Sequence, residues 1–522
     1  SGEYLKNHPP VGEIHLNQDT ADGSFDGLSS WAEKHTNTEL WTVLQRSRLL
    51  SRYAAFLAPG DEGVLAALDK GLTARLLAMS TTHFGLTSPI MNKRRLETAR
   101  EWCHAALQAG QDAFQRAAGQ APMDLIMPAA IEDGCTGAAG VLVRFEAPVN
   151  TPPALELIDS DNNRIATSFR MEPLGTMPET TVEMAFLCTT ASKSLRFAPQ
   201  SPADSTPEPA ADLRLAANEI ANHSVSVRIA PNGAVELGFM GTPIAHKGLP
   251  AASLRYDGKV LRTSQFRFSG ARRIAPEIAQ LSVEGTIPLD DARACRWTHR
   301  YLVAAGLPHI YVDVCVEYPE TEHKGYNAAI AKRLGDTWDN RWEEVMPWEF
   351  AFDADTAAPL TIWKHNFFGD TTRYRLDYGD FSANSELDSF NNHLTNGWVA
   401  VNGAERGILL AQSCRWDNSF AFCPMRLRRV QEKQTLYLNP FGTYYGKQLH
   451  YHTARSGLGK MLALGMADHL RSYAPSYNGQ ISRFSLLLAP YQGDAPPSQL
   501  QHDAMLFATP PIALNHEKAV ES

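Results

Sequence analysis

Histidines, carboxylates and cysteines are the side chains with the means to do chemistry here, and the best placed of them is His83. It stands in the stretch STTHFGLTSPIMNKRRLETAREWCHAAL, residues 80–107, where a short polar turn carrying His83 and Gly85 runs into a long amphipathic pattern. Pro89 suits the first turn of a helix, and Thr87 or Ser88 can cap its free amide groups, so the turn is expected to be rigid. A neutral imidazole on a rigid turn is a good ligand for a divalent metal. Zinc takes at least three protein groups, however, so one histidine cannot make the site alone. The commoner use of a single histidine is as a hydrogen-bonded structural residue.

The remaining candidates read as structure more readily than as chemistry. Glu33, His35, Asp69 and His104 lie on helical patterns at no shared metal spacing, which is how a solvated surface looks. His450 and His452 form an HxH pair that a strand would put on one face, with no third ligand at a recognisable spacing. His299, His309, His365 and His393 are isolated, and no HExxH occurs. Trp342, Trp348, Trp363, Trp398 and Trp416 have faces that could stack on sugar rings, but tryptophans among strands are more often core. GLGKMLALG, residues 457–465, echoes a phosphate loop yet lacks the preceding strand and the GK[ST] ending. The seven cysteines, Cys103, Cys135, Cys188, Cys295, Cys315, Cys414 and Cys423, are odd in number and hold no CxxC. That favours free, packed thiols in a reducing compartment over a disulfide frame.

The elements that must position these residues change type once along the chain. Thr36 or Asn37 can cap a helix whose apolar face is Leu40, Val43, Leu44, Leu50, Ala54 and Leu57, and Pro59-Gly60 ends it. Val64, Leu65, Leu68, Leu72, Leu76 and Met79 mark a second helix. Leu96, Ala99, Cys103, Ala106, Gly110 and Ala113 give the third, over 90–118, a narrow face of small residues. Short connections imply an antiparallel three-helix bundle. After Pro122 the apolar period falls to two. Val141, Val143 and Phe145, then 155–158 ahead of the turn Asp159-Ser160-Asp161-Asn162-Asn163, then 182–188, read as a small β-sandwich. Pro199, Pro202, Pro207 and Pro209 mark a linker. A hairpin follows at 224–229 and 234–239 around Pro231-Asn232-Gly233. Ile310, Val312, Val314 and Val316 alternate with Tyr311, Asp313, Cys315 and Glu317, as a half-buried strand does. A helical interruption is expected at 456–472. The expected organisation is α+β, mostly β: 1–20 the tail of an upstream domain, 21–120 the bundle, 121–200 the small sandwich, 201–214 the linker, and 215–522 two large packed sheets.

The 522 residues are 44% hydrophobic and 20% charged, ordinary values for a globular protein with several domains. The net charge of −9, from 48 basic and 57 acidic side chains with no Lys/Arg block, argues against nucleic acid. No apolar run reaches the roughly 20 residues of a membrane span. The chain begins at Ser1 with no leader, as a processed or cut piece would. A cytoplasmic protein is expected, free to self-associate as a homo-oligomer.

The order of these segments resembles the part of a family 38 glycoside hydrolase, the α-mannosidase type, that follows the catalytic barrel. Gly23-Ser24-Phe25 and 34–50 resemble the turn and helix after that barrel, and His83 to Ser88 the histidine turn of the bundle. LELIDSDNNRIATS, Asn218-Glu219 with Val225 and PNG, His393 to Val401, GILLAQS and FSLLLAPYQGD recur in the family's order. The resemblance implies a retaining α-glycosidase in which a metal, usually zinc, grips two sugar hydroxyls while an aspartate attacks the anomeric carbon. The nucleophile and acid of such an enzyme stand about 5 Å apart. It implies that the nucleophile and three of the four metal ligands belong to a barrel this chain lacks, and that His83 matches the fourth ligand. Phe84 replaces the acidic residue that usually follows that histidine, which weakens the case for mannosides. The large domain would be a galactose-mutarotase-like β-supersandwich. Its partners would be carbohydrate and the upstream barrel, its cofactor zinc or another divalent cation shared with that barrel, and the chain alone would be inactive. The alternatives are a stand-alone carbohydrate-binding β protein without hydrolase activity and a purely structural or oligomerisation module.

Overall fold

The computed structural model describes residues 35–79, 89–119, 123–130, 140–175, 181–188, 192–198, 210–231, 235–249, 253–256, 259–320, 342–345, 348–351, 360–365, 371–376, 392–393, 398–403, 405–413, 425–430, 433–438 and 481–514. Within them the chain is mostly β, with four α-helices: α1 (His35–Leu57), α2 (Glu62–Ala78), α3 (Pro89–Ala118) and α4 (Ser498–Ala508).

The first three helices pack together through small residues. Ala99, Cys103, Ala106 and Ala113 of α3 are all fully buried, the face that its period of three and four predicts. A Cβ on Gly110 would stand 3.0 Å from the Ser47 carbonyl, so glycine is what lets the α1 backbone come this close. Asp61 caps α2 by accepting the Val64 amide at 2.8 Å, and it also accepts Arg116 Nε of α3 at 2.7 Å. The face expected for α2 needs correction. Leu65, Leu72 and Leu76 are 48%, 47% and 59% exposed, while Gly71, Ala74 and Ala78 are buried. The reason is the closeness of α3: a Cβ on Gly71 would already touch Ala109 Cβ at 3.4 Å, leaving no room there for leucine.

Beyond α3 the strands build three layers. The middle one is an antiparallel nine-stranded sheet in the order Gln265–Ala275, Ile278–Pro288, Ala294–Ala304, Ile310–Glu317, Ile481–Gln492, Arg406–Gln412, Trp398–Asn402, Leu360–His365, Thr371–Leu376. One face packs on a five-stranded sheet through Ile220, Val227, Leu237, Leu281, Trp297, Val312 and Leu486. The other face meets a seven-stranded sheet and α4 through Tyr311, Trp398, Leu487, Leu142, Phe186 and Phe507. That third sheet bends round its own core, since the rings of Phe145 and Phe197 stack at 5.6 Å although three strands separate theirs in the sheet. Two smaller sheets, of three and four strands, complete the β structure of the described residues.

This layering overturns the half-buried reading of Ile310–Glu317. Ile310, Val312, Val314 and Val316 face the five-stranded sheet, but Tyr311, Asp313 and Cys315 are buried too, because the seven-stranded sheet covers their side. Two expected boundaries also shift. Leu213, placed in the linker, is buried in the core of the large sheets, and the Ala210 amide bonds the Pro276 carbonyl at 3.1 Å. At the other end Ile512–Ala513 pairs with Leu125–Ile126, so the chain returns to the seven-stranded sheet instead of ending in the large one. The Asp159 turn forms as expected: its carboxylate accepts the amides of Asp161 and Asn163, and Asn162 has φ 64. Asn232, Gly233 and 456–472 lie outside the described residues.

Candidate functional site

His83 and Phe84 lie outside the described residues, as do Glu33, Trp416, His450, His452 and the side chains of His35, Trp342, Trp348 and His393. Among the described residues no group of three or more His, Cys, Asp or Glu could hold a metal ion. The described residues therefore do not by themselves make a zinc site. Asp69 and His104 are exposed, as a solvated helix surface has it. Trp398 is buried core and offers no face to a sugar in solvent, while Trp363 is partly buried against the same cluster.

His299 is fully buried against Trp297, ring centroids 4.7 Å apart, and burial pulls its pKa down to about 3. It is neutral at any ordinary pH. Cys103, Cys188, Cys295 and Cys315 are free and buried. Burial pushes the Cys315 thiol up to about 11 and Cys295 further still, so neither is a nucleophile.

The main polar constellation within the described interior is one that single-residue reading passed over. Arg144 on Val141–Pro148 reaches Asp313 Oδ1 at 2.5 Å, and Arg300 Nε donates to Asp313 Oδ2 at 2.8 Å. Ser485 Oγ donates to Asp313 Oδ1 at 2.7 Å, while Glu183 lies 3.7 Å from Arg144 and 3.5 Å from Arg300. These four charged side chains are 0–4% exposed. Burial opposes the charge of Arg300, but Asp313 and Glu183 together outweigh it and raise its pKa. The cluster sits between the seven- and nine-stranded sheets, and arginines of the larger sheet also hold the segment 171–175. Arg300 donates to the Glu172 carbonyl at 2.7 Å, Arg483 to the Leu174 carbonyl at 2.8 Å, and Arg272 pairs with the Glu172 carboxylate. Two arginines balanced by two acids, closed to water, form a lock between layers with no room for a substrate. The only sequence signal was charge at inward positions: Arg144 in VLVRFEAP, Arg300 in ACRWTHRYLVA and Asp313 in IYVDVCVE.

No family model matches the chain, and no curated protein does. Solved structures do. A protein of glycosyl hydrolase family 38 from Enterococcus faecalis covers 98% of this chain at 10% identity and TM-score 0.50. The fold is like that of glycoside hydrolase family 38. An alpha-mannosidase from Enterococcus faecalis V583 matches with the same identity, coverage and TM-score. The chain spans 62% and 61% of the length of these two structures. At this identity the family 38 likeness concerns the course of the backbone and carries no side-chain role with it.

Proposed function

We propose that this chain is the C-terminal part of a retaining α-glycosidase resembling α-mannosidase, supporting hydrolysis by a catalytic barrel that lies outside it. The observation that carries the reading is the likeness of almost the whole chain to about three fifths of a family 38 protein. In this reading 21–120 is a three-helix bundle, 121–200 a small sandwich that Ile512–Ala513 rejoins, and most of 215–522 a galactose-mutarotase-like supersandwich. His83 is the one ligand the chain offers to zinc or another divalent cation, and carbohydrate and the upstream barrel are its partners. Four buried free cysteines agree with a reducing, cytoplasmic setting. No helix among the described residues is long and apolar enough to cross a membrane.

Aryl α-mannosides and zinc analysis test this together. The purified chain is expected to give no turnover above background and to keep no stoichiometric zinc after dialysis. In a protein that carries the barrel, His83→Ala is expected to lower metal content and abolish turnover without unfolding. Turnover by the chain alone, or full metal and activity in that variant, would remove the reading.

A further inference from the structure

Helix α4 meets the sheets at a buried polar chain, two hydrogen-bonding contacts at Tyr311 and one close histidine–carboxylate approach, that the proposed function does not use. The Leu142 amide, on Val141–Pro148, donates to the Tyr311 hydroxyl at 2.9 Å. That hydroxyl lies 3.2 Å from His309 Nδ1, and His309 Nε2 lies 3.5 Å from Asp503 Oδ2 on α4. The other Asp503 oxygen accepts Gln499 Nε2 at 3.2 Å. Tyr311, His309 and Asp503 are all buried. A phenol oxygen that accepts an amide still has one proton to give, and His309 Nδ1 stands within reach of it. Nδ1 is then the bare nitrogen, and Nε2 carries the ring proton towards the carboxylate.

From this geometry we infer that Tyr311, His309 and Asp503 form a one-proton latch that keeps α4 on the sheets near neutrality and releases it in acid. A proton taken from solvent into the His309–Asp503 pair has two resting places. On His309 it occupies Nδ1. On Asp503 it donates to Nε2, and the ring proton has to move to Nδ1. Either way Nδ1 turns from acceptor to donor, facing a tyrosine oxygen that already takes the Leu142 amide. The tyrosine's own proton loses its acceptor in a dry interior, which is costly. The charged groups facing the chain are Asp503 from α4, which favours an added proton, and Arg144 from the seven-stranded sheet, which acts on Tyr311 and disfavours one. Burial adds to the resistance and pulls His309 down to about 4. The docked form therefore refuses a proton that the undocked form accepts, and acid favours undocking.

Hydrogen exchange of the full chain, read by mass spectrometry at pH 7 and pH 5 and corrected for intrinsic rates, tests the latch. The amides of α4 are expected to open about tenfold more at pH 5, while those of Ile310–Glu317 stay protected. His309→Gln is expected to reduce that response to about twofold or less, with the partly exposed His502 of α4 left in place as a control. Tyr311→Phe keeps the titrating pair but removes the stranded proton, so the docked form resists protonation less and the response between pH 7 and pH 5 is expected to be smaller than in the wild type. An unchanged response in His309→Gln, or joint opening of α4 and Ile310–Glu317 in the wild type, would overturn the inference. If His309→Gln does not fold, Tyr311→Phe decides: a response as large as that of the wild type overturns the latch.

Discussion

Asp313 answers two arginines at once, and its neighbours set what its loss would do. In Asp313→Asn the Arg144 and Arg300 guanidiniums stay buried, with Glu183 the remaining carboxylate of the cluster, at 3.7 and 3.5 Å. Leaving a charge buried and under-paired costs about 3–5 kcal/mol. Urea unfolding is expected to show that loss, and a midpoint within error of the wild type would mean that water already solvates the cluster. The residue scale is also where the sequence was least legible. Arg144 and Asp313 are 169 residues apart, and no local period or motif links them. His83 was easy to single out because the residues that suggest a turn, a cap and a helix start beside it are neighbours in sequence, and it lies outside the described residues.

At the scale of elements, α2 separates what pattern can and cannot say. Its existence was legible from the period of Val64 to Met79 and its start from the Pro59-Gly60 break before it, because breakers act within a turn, while the Asp61 cap was not singled out. Its buried face was not legible, since leucine outranks alanine in any hydrophobic reading while the helix contact demanded the smaller side chain. Leu72→Glu, on the exposed side, is expected to change stability by no more than about 0.5 kcal/mol. Ala74→Leu, on the buried side, is expected to cost about 1–3 kcal/mol by overpacking. Thermal unfolding of the two variants checks this, and a larger loss in Leu72→Glu would restore the leucine face. Ile310–Glu317 teaches the same lesson in strands. Its alternation was real and sorted residues between two faces, but Asp313 on one face made that face look wet when a second layer covered it.

At the scale of the molecule, residues 510–514 tie distant parts together. The Tyr53 hydroxyl of α1 donates to the Pro510 carbonyl at 2.8 Å, across 457 residues of sequence, and the Leu514 amide bonds the Asp124 carbonyl at 2.8 Å. Ile512–Ala513 closes the edge of the seven-stranded sheet against Leu125–Ile126. A chain ending at residue 509 is expected to keep its nine-stranded sheet but to exchange the Leu125 and Ile126 amides about tenfold faster or more. Unchanged protection of those two amides would show that the closing strand adds nothing.

That closure also sets a timetable. A sheet opened at Leu125 cannot gain its final strand until Ile512 has left the ribosome, which at about 5–20 residues per second is roughly 20–80 s later. Until residues 481–508 have been made, Leu142, Phe186 and their neighbours have neither the Ile481–Gln492 strand nor α4 to cover them. A nascent chain therefore carries this apolar surface uncovered until those two elements have been made.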